Sequence, residues 1–423
     1  MPEHPSDPAE QQAPAGAVEG SRNEPAVGAD PQGYSEPHAA AELPADIEPL
    51  SDAELAPAQR AEARRYGRQS LAADLADKAL DLVYLGAMAF VFAVPLDRWL
   101  AAYVPRDTLR LMVLLWIVLA VHECLSLPLS WYRGHVLERK FGLSRQSGRA
   151  WLARHLKQLA LSVVFSTAMV LLLYAIIWWI GPWWWLAAAA GFFVISVVLG
   201  QLAPVLILPL FYKVERLDDP ALGERLARRA AGTGLSIEGV YRMELSSETV
   251  KANAMLAGLG RTRRVILGDT LLALFSPEEI EVIFAHEIGH HVHRHIGQMM
   301  LLGLVFSLAA FGVSELALRS YVAATTGQPL VHAELPVAAL PLLLWTISVF
   351  SLLVEPAQNA FSRRCERQSD RYALESTGMR EAYVSAFRKL ARLNKDDPHP
   401  PALEVLLFHS HPPIAERLAM ADW

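Results

Sequence analysis

Long apolar stretches alternate along this chain with segments rich in arginine, and the alternation predicts its architecture. Six stretches are long enough to cross a bilayer: roughly Leu80–Val104, Leu111–Leu129, Leu159–Ile180, Trp183–Phe211, Met299–Leu318 and Leu335–Val354. A helix needs about 20 apolar residues to span the hydrocarbon. Asp97 and Arg98 interrupt the first stretch near its end. Pro204 and Pro209 lie in the fourth and predict a kink where it leaves the bilayer. The polar remainder divides into an N-terminal part and two soluble pieces, about 212–298 and 355–423.

Within the first soluble piece, Ala221–Gly232 reads as a helix, and Val240–Leu245 and Arg264–Leu267 read as short strands. Asn253–Gly260 lies between them, with Gly258 and Gly260 suited to a turn. Ser276-Pro277-Glu278-Glu279 carries the marks of a helix start: an N-capping serine, proline at the first helical position and a capping-box glutamate. Residues 1–50 are rich in Pro, Ala, Glu, Gly and Asp and nearly devoid of aromatics, which predicts a disordered tail. The expected organisation is thus a tail (1–50), a four-span membrane domain (51–211), a soluble piece (212–298), two further spans (299–354) and a second soluble piece (355–423).

Charge orients these spans. Arg60, Arg64, Arg65 and Arg68 precede the first, and Arg133, Arg139, Lys140, Arg145, Arg149, Arg154 and Lys157 lie between the second and third. Arg225, Arg228, Arg229, Arg261, Arg263 and Arg264 lie between the fourth and fifth. By the positive-inside rule all three segments, and both termini, face the cytoplasm. Composition agrees with a membrane protein: 53% of residues are hydrophobic and 19% charged. The net charge of -6 gives no footprint for nucleic acid, and two distant cysteines, Cys124 and Cys365, provide no disulfide framework.

The helix opened by Ser276 runs into His286-Glu287-Ile288-Gly289-His290. Residues four apart share one face of a helix, so both imidazoles can reach one ion, and Glu287 lies beside the first ligand as a proton acceptor for an attacking water. Glu366 is the candidate third ligand, with Asp370 one turn further on to hold the free nitrogen of a ligand histidine. A solvated charged face with intrahelical Arg–acid pairs is the competing reading of Asn359–Asp370, but that stretch follows the sixth span directly, at the membrane mouth. His291 and His293 extend the histidine run at positions that point away from His290. His122 and Glu123, inside the second span, either line a cavity or pair with Arg98, and Glu315 in the fifth span has the same two readings. Cys365 reads as a small hydrophobe or a redox handle.

Four blocks in this order resemble the type I CAAX prenyl endopeptidase family, multi-spanning zinc proteases. They are Asn253-Ala254 with Arg264–Leu272, the metal helix with His295 five residues beyond His290, Asn359–Asp370, and Ser410-His411-Pro412-Pro413-Ile414-Ala415-Glu416-Arg417-Leu418. Phe141-Gly142-Leu143-Ser144 is similar to the family's loop after an early span. The resemblance implies that His411 assists as an oxyanion donor, and that Asn253 and Ala254 lie on an edge strand pairing with substrate. It also implies that Arg417 ties the C-terminal helix to acids such as Asp370, and that Asn359 supports the metal site from outside the ligand set. Eukaryotic members are described with seven spans around a hollow chamber; here the first is replaced by the tail and an amphipathic stretch, Glu54–Lys78.

The expected fold is mainly α and integral to the membrane: about six transmembrane helices and a cytoplasmic zinc metalloprotease domain with a small β-sheet. The expected activity is zinc-dependent endopeptidase hydrolysis, with one zinc per chain, of a protein or peptide substrate, prenylated or not. It would serve CAAX-type C-terminal processing or quality control of membrane proteins, in a bacterial inner membrane or, in a eukaryote, the ER. The rival is a catalytically silent zinc-binding scaffold or carrier, in which Glu287 would have no purpose.

Overall fold

The computed structural model describes residues 53–258 and 263–422, so the tail expected at 1–50 and the glycine at 260 lie outside the described residues. The chain opens with α1 (Pro57–Ala87), which passes through a π-helical turn into α2 (Ala93–Ala101). α3 (Asp107–Trp131) likewise passes through a π turn into α4 (Glu138–Lys140). α5 (Gly148–Ile180) and α6 (Trp184–Leu202) follow, then a π turn containing Pro204 and the short α7 (Leu208–Phe211). π turns accommodate the lost proline donor at the cost of a local bend.

Among the described residues, five helical runs are long and apolar enough to cross a membrane. The third, Gly148–Phe211, has 64 residues, which at about 1.5 Å each would reach about 96 Å, some three times the hydrocarbon thickness. It does not run straight. Gly181 adopts φ 68 ahead of Pro182, breaking the run into α5 and α6, which pack on each other. Divided in this way, the run offers two apolar helices, α5 and α6, in place of one, which is how five long runs correspond to six expected spans. The amphipathic stretch Glu54–Lys78 becomes, from Pro57 on, the start of the first spanning run, Pro57–Ala101. Its polar face serves α3 and a later helix: Asp81 meets His122, Asp77 accepts from Ser126, and Lys78 pairs with Glu355. Neither His122 nor Glu123 pairs with Arg98, because partners from neighbouring helices reach them first; Glu123 meets His155 on α5 at 2.6 Å. Glu315 accepts from Trp184 Nε1 at 2.6 Å and faces His332.

The soluble part begins with β1 (Val214–Arg216), α8 (Pro220–Ala230), β2 (Ile237–Met243), β3 (Ala254–Ala257) and β4 (Arg263–Gly268). The sheet order is β1-β2-β4-β3, with β2 and β4 parallel and the outer pairs antiparallel. β3 is an edge strand, registered from Ala254 opposite Leu267 to Ala257 opposite Arg264. Within the Asn253–Gly260 segment, Ala254–Ala257 are therefore strand, and Gly258 directly after them has φ 92. α9 (Asp269–Leu274) and α10 (Pro277–Val292) follow, and α10 packs on the sheet and α8 through Leu226, Val265, Leu267, Ile280, Phe284 and Ile288.

The chain then returns to the membrane in α11 (His295–Thr326) and α12 (Leu340–Thr377). α12 does not stop at the membrane surface. It runs as one helix from span to soluble domain and lies along α10. α13 (Arg380–Asn394), α14 (Ala402–Phe408) and α15 (Ile414–Ala419) close the soluble part. The Phe141–Ser144 loop clamps the segment leading into β3: Leu143 O accepts from Val250 N at 3.2 Å and Thr249 Oγ1 at 2.8 Å.

Candidate metal centre

α10 starts where its capping box closes. Ser276 Oγ accepts from Glu279 N at 3.3 Å, and Ser276 N donates to Glu279 Oε2 at 2.7 Å. Two further donors, Lys389 Nζ at 2.7 Å and Ser385 Oγ, hold Glu279 against α13. This fixes the rotation of α10, and four-residue spacing then turns both His286 and His290 toward α12. Close approach of the helices depends on Gly289, where a Cβ would lie 2.8 Å from Ser369 Cα. Without a side chain at that point, α12 comes near enough for Glu366 to meet both imidazoles.

His286 Nε2, His290 Nε2 and Glu366 form a triangle. Its edges are 3.2 Å between the two nitrogens, 3.3 Å from His286 Nε2 to Glu366 Oε2, and 3.4 Å from His290 Nε2 to Glu366 Oε1. A tetrahedral zinc site with bonds of about 2.0–2.1 Å has ligand–ligand edges of about 3.3 Å. Among the described residues this is the one His/Cys/Asp/Glu group compact enough to hold a metal ion. Glu366 Oε2 is buried and faces His286 and His411 without a hydrogen bond of acceptable geometry, an arrangement that a cation between the ligands would complete. Three protein ligands of this type leave a fourth position open, the pattern of a catalytic rather than a structural site.

Charge is arranged to match. Burial disfavours a protonated His286, but the adjacent Asp370 and Glu366 carboxylates outweigh it and push the imidazole up to about 9. Burial, with the charge of His286 behind it, pushes His290 down to about 4. Glu366, although buried, is held far below the usual carboxylate range by His286 and His411. Burial raises Glu287, against the opposing charge of His286. The carboxylates of Glu366 and Asp370 thus favour positive charge at His286, on the side where its Nε2 faces Glu366.

Asp370 is fully buried, and its Oδ1 accepts from His286 Nδ1 at 2.8 Å. Arg417 clamps the same carboxylate with Nη2 at 2.6 Å and Nε at 2.8 Å, its guanidinium 4.0 Å from the Phe387 ring centroid. His411 is 63% exposed at the open side, with Nδ1 2.9 Å from Glu366 Oε2. Asn359 Nδ2 donates to Leu407 O at 2.8 Å, tying α12 to α14 just before His411. Ala254 begins β3, and the preceding Asn253 is exposed, its carbonyl accepting from Gly268 N at 2.9 Å. His291 receives Arg263 Nη1 at 2.7 Å, and His293 stacks on His295; neither enters the ligand triangle. Cys365 is buried, and burial raises its thiol, so it fills space beside the ligand as a hydrophobe.

Residue roles that the sequence did not assign are those of His295, Gln368 and Arg363. His295 Nδ1 lies 3.1 Å from His290 Nδ1, and its Nε2 lies 2.9 Å from Gln368 Oε1. Arg363 Nη1 donates to Val405 O at 2.7 Å and to His409 O, holding the segment before His411. The spacing of His295 from the motif was visible, but no residue-level pattern assigned it a partner.

The site opens onto a cavity of about 620 Å³. Glu287, His290 and Glu366 form one wall, Leu256 of β3 another, and apolar residues of the membrane helices, among them Phe193 of α6 and Met299 of α11, the remainder.

Comparison with known proteins gives a concordant result. Residues 216–422 match the sequence model of peptidase family M48, and residues 38–213 match that of the CAAX prenyl protease N-terminal region, described as having five membrane helices. The chain is 31% identical over 327 residues to the Bacillus subtilis protein named uncharacterized metalloprotease YhfN, covering 77% of this chain and 76% of that one. It is 26% identical over 318 residues to CAAX prenyl protease 1 of Saccharomyces cerevisiae, covering 70% and 69%. The crystal structure of S. mikatae Ste24p shares the fold, with a TM-score of 0.74 at 22% identity, over 88% of this chain and 92% of that one.

Proposed function

The chain belongs to peptidase family M48 and is a membrane metallopeptidase, and on that premise we propose that its metal is zinc, held by His286, His290 and Glu366. Bound there, zinc would supply a Lewis acid beside the scissile carbonyl and lower the pKa of the attacking water. The chain's own groups do the rest. Glu287 takes the proton from the water as its oxygen attacks the carbonyl carbon, then delivers it to the amine as the C–N bond breaks. His411, at the open side next to Glu366, donates to the developing oxyanion. The free edge of β3 hydrogen-bonds an extended substrate backbone, with Asn253 and Ala254 at its start.

For substrate we propose an extended peptide bearing an apolar group near the cut, as in CAAX-type C-terminal processing. The observation that carries this reading is the cavity, where the catalytic glutamate and metal ligands share one space with apolar side chains of membrane helices. The similarity to a CAAX prenyl protease supports it. The arginine distribution supports a site on the cytoplasmic face, and the Bacillus relative supports a bacterial cytoplasmic membrane. The test is cleavage of a farnesylated CAAX peptide beside its unprenylated twin and an unfolded membrane protein. Preferential cutting of the farnesylated peptide is expected. Cleavage of the unfolded protein alone would replace this reading with quality control.

A further inference from the structure

The two imidazoles of the triangle are held from behind in different ways. His286 leans on a charged pair, Asp370 with Arg417. Among the described residues no acid bonds the Nδ1 of His290. Its Nδ1 faces a third imidazole, His295 Nδ1, at 3.1 Å, and the far nitrogen of that ring, Nε2, faces the side-chain carbonyl of Gln368 at 2.9 Å. His295 is itself almost wholly buried. It reaches this position because Arg294 turns left-handed (φ 56) between α10 and α11, which reverses the chain enough to point the first side chain of α11 back at the metal helix. Ser369 Oγ, at 3.5 Å from His295 Nδ1, is too distant to compete strongly.

We propose that Gln368 and His295 form a two-step relay that fixes which nitrogen of His290 is free to bind the metal. The inference rests on the zinc reading given above. A neutral imidazole carries one proton, and the ligating nitrogen must be the bare one. Nε2 of His290 is the atom in the ligand triangle, so the proton must sit on Nδ1 and be donated to His295 Nδ1. That atom can accept only if His295 carries its own proton on Nε2. The Gln368 carbonyl accepts that proton. Read outward from Gln368, an amide oxygen sets the tautomer of His295, which sets the tautomer of His290. Were the amide reversed, each donor would become an acceptor along the line, and the proton would end on His290 Nε2, where it blocks the metal.

The relay differs from the Asp370 support in charge. An anionic partner raises the basicity of a ligand imidazole more than a neutral one does. With one anionic and one neutral support, the three ligands donate one full negative charge to the ion, through Glu366, and a second carboxylate close behind is avoided. His295 and Gln368 are therefore positioning residues, acting through His290.

The test is metal affinity in the full-length, detergent-solubilised protein, measured by chelator competition for zinc and by the d–d spectrum after cobalt substitution. His295→Leu keeps bulk and removes the acceptor, whereas His295→Asn restores an acceptor oxygen close to the position of Nδ1. Gln368→Leu, at a half-buried position, removes only the end of the relay. Zinc affinity should fall about 10–100-fold in His295→Leu, the usual cost of losing a group that orients a ligand. It should return to within a few-fold of the parent in His295→Asn and fall several-fold in Gln368→Leu. The cobalt spectrum should retain the same three-ligand tetrahedral form in every variant, because no ligand has been removed. Parent-like affinity in His295→Leu would overturn the relay. So would a loss in His295→Asn equal to that in His295→Leu, because His295 would then matter only for packing. An unaltered Gln368→Leu would overturn the role of the amide. Failure of the parent chain to bind zinc at about one per chain would overturn the zinc reading instead.

Discussion

Replacing Gly289 with alanine tests how the metal site is assembled, because that glycine lies at a close approach of α10 and α12. The added Cβ would lie 2.8 Å from Ser369 Cα, 3.1 Å from its Cβ and 3.2 Å from its carbonyl oxygen. Carbon atoms pack comfortably at about 3.5–4.0 Å, so the helices must part by roughly 0.7–1 Å. Two of the three obstructing atoms are backbone and cannot rotate aside. Overpacking of this kind costs about 1–3 kcal/mol, offset by about 1 kcal/mol of helix propensity gained when alanine replaces glycine. Net destabilisation should therefore be modest. The metal should suffer more, because zinc bond lengths tolerate only about 0.2 Å, and the separation moves Glu366 away from His286 and His290 together. Gly289→Ala should lose at least about tenfold in zinc affinity, in line with disturbed coordination geometry, while the metal-free protein melts only a few degrees lower. Gly297→Ala is the control: it is also helical, but nothing among the described residues would lie within 4 Å of its Cβ. Unchanged zinc affinity in Gly289→Ala would refute the argument that this glycine sets the spacing of the ligands.

Two further expectations follow from features away from the metal. Glu281 is buried and bridges Arg225 and Arg229, and despite burial these guanidiniums hold its carboxyl below the usual range. Its contribution to stability is present above its unfolded pKa of about 4.3 and is lost as pH falls through the depressed native value. Glu281→Ala should cost up to about 3 kcal/mol at pH 7, less than a fully buried pair because both arginines touch solvent, as read from chemical denaturation. An equal loss in the variant and the parent between pH 7 and pH 3 would contradict the assignment. Topology is checked with sealed, right-side-out vesicles, in which tags at both termini should be protected and a cysteine at Thr325 labelled from outside. Opposite accessibility of the two tags would mean an odd number of crossings.

What the sequence revealed, and what it hid, follows from the range of the interactions. The start of α10 was legible because a capping box is local, and His286 with His290 because four residues make one helical turn. Glu366 and Asp370 were legible for the same reason, since α12 continues unbroken from the membrane into the site. His295 was not. On a continuous helix a residue five positions after His290 would point about 140° away, and only the left-handed turn at Arg294 brings it back. β3 was legible only through the family resemblance, which places Asn253 and Ala254 on an edge strand; its own four residues, Ala254–Ala257, have too little alternation to separate strand from turn, and its identity comes from pairing with β4. The partners of His122 and Glu123 lie 41 and 32 residues away on other helices, where no periodic pattern could reach.

The central claim is that this chain separates metal binding from proton transfer, with Glu366 holding the ion and Glu287 only moving the proton. Zinc content and peptide hydrolysis measured side by side in Glu287→Gln and Glu366→Ala test it most directly. Glu287→Gln should retain about one zinc per chain with hydrolysis abolished, since the amide cannot accept the water's proton. Glu366→Ala should lose most of its zinc and its activity together, because one of three protein ligands is gone. Hydrolysis persisting in Glu287→Gln, or full zinc and activity in Glu366→Ala, would contradict the account.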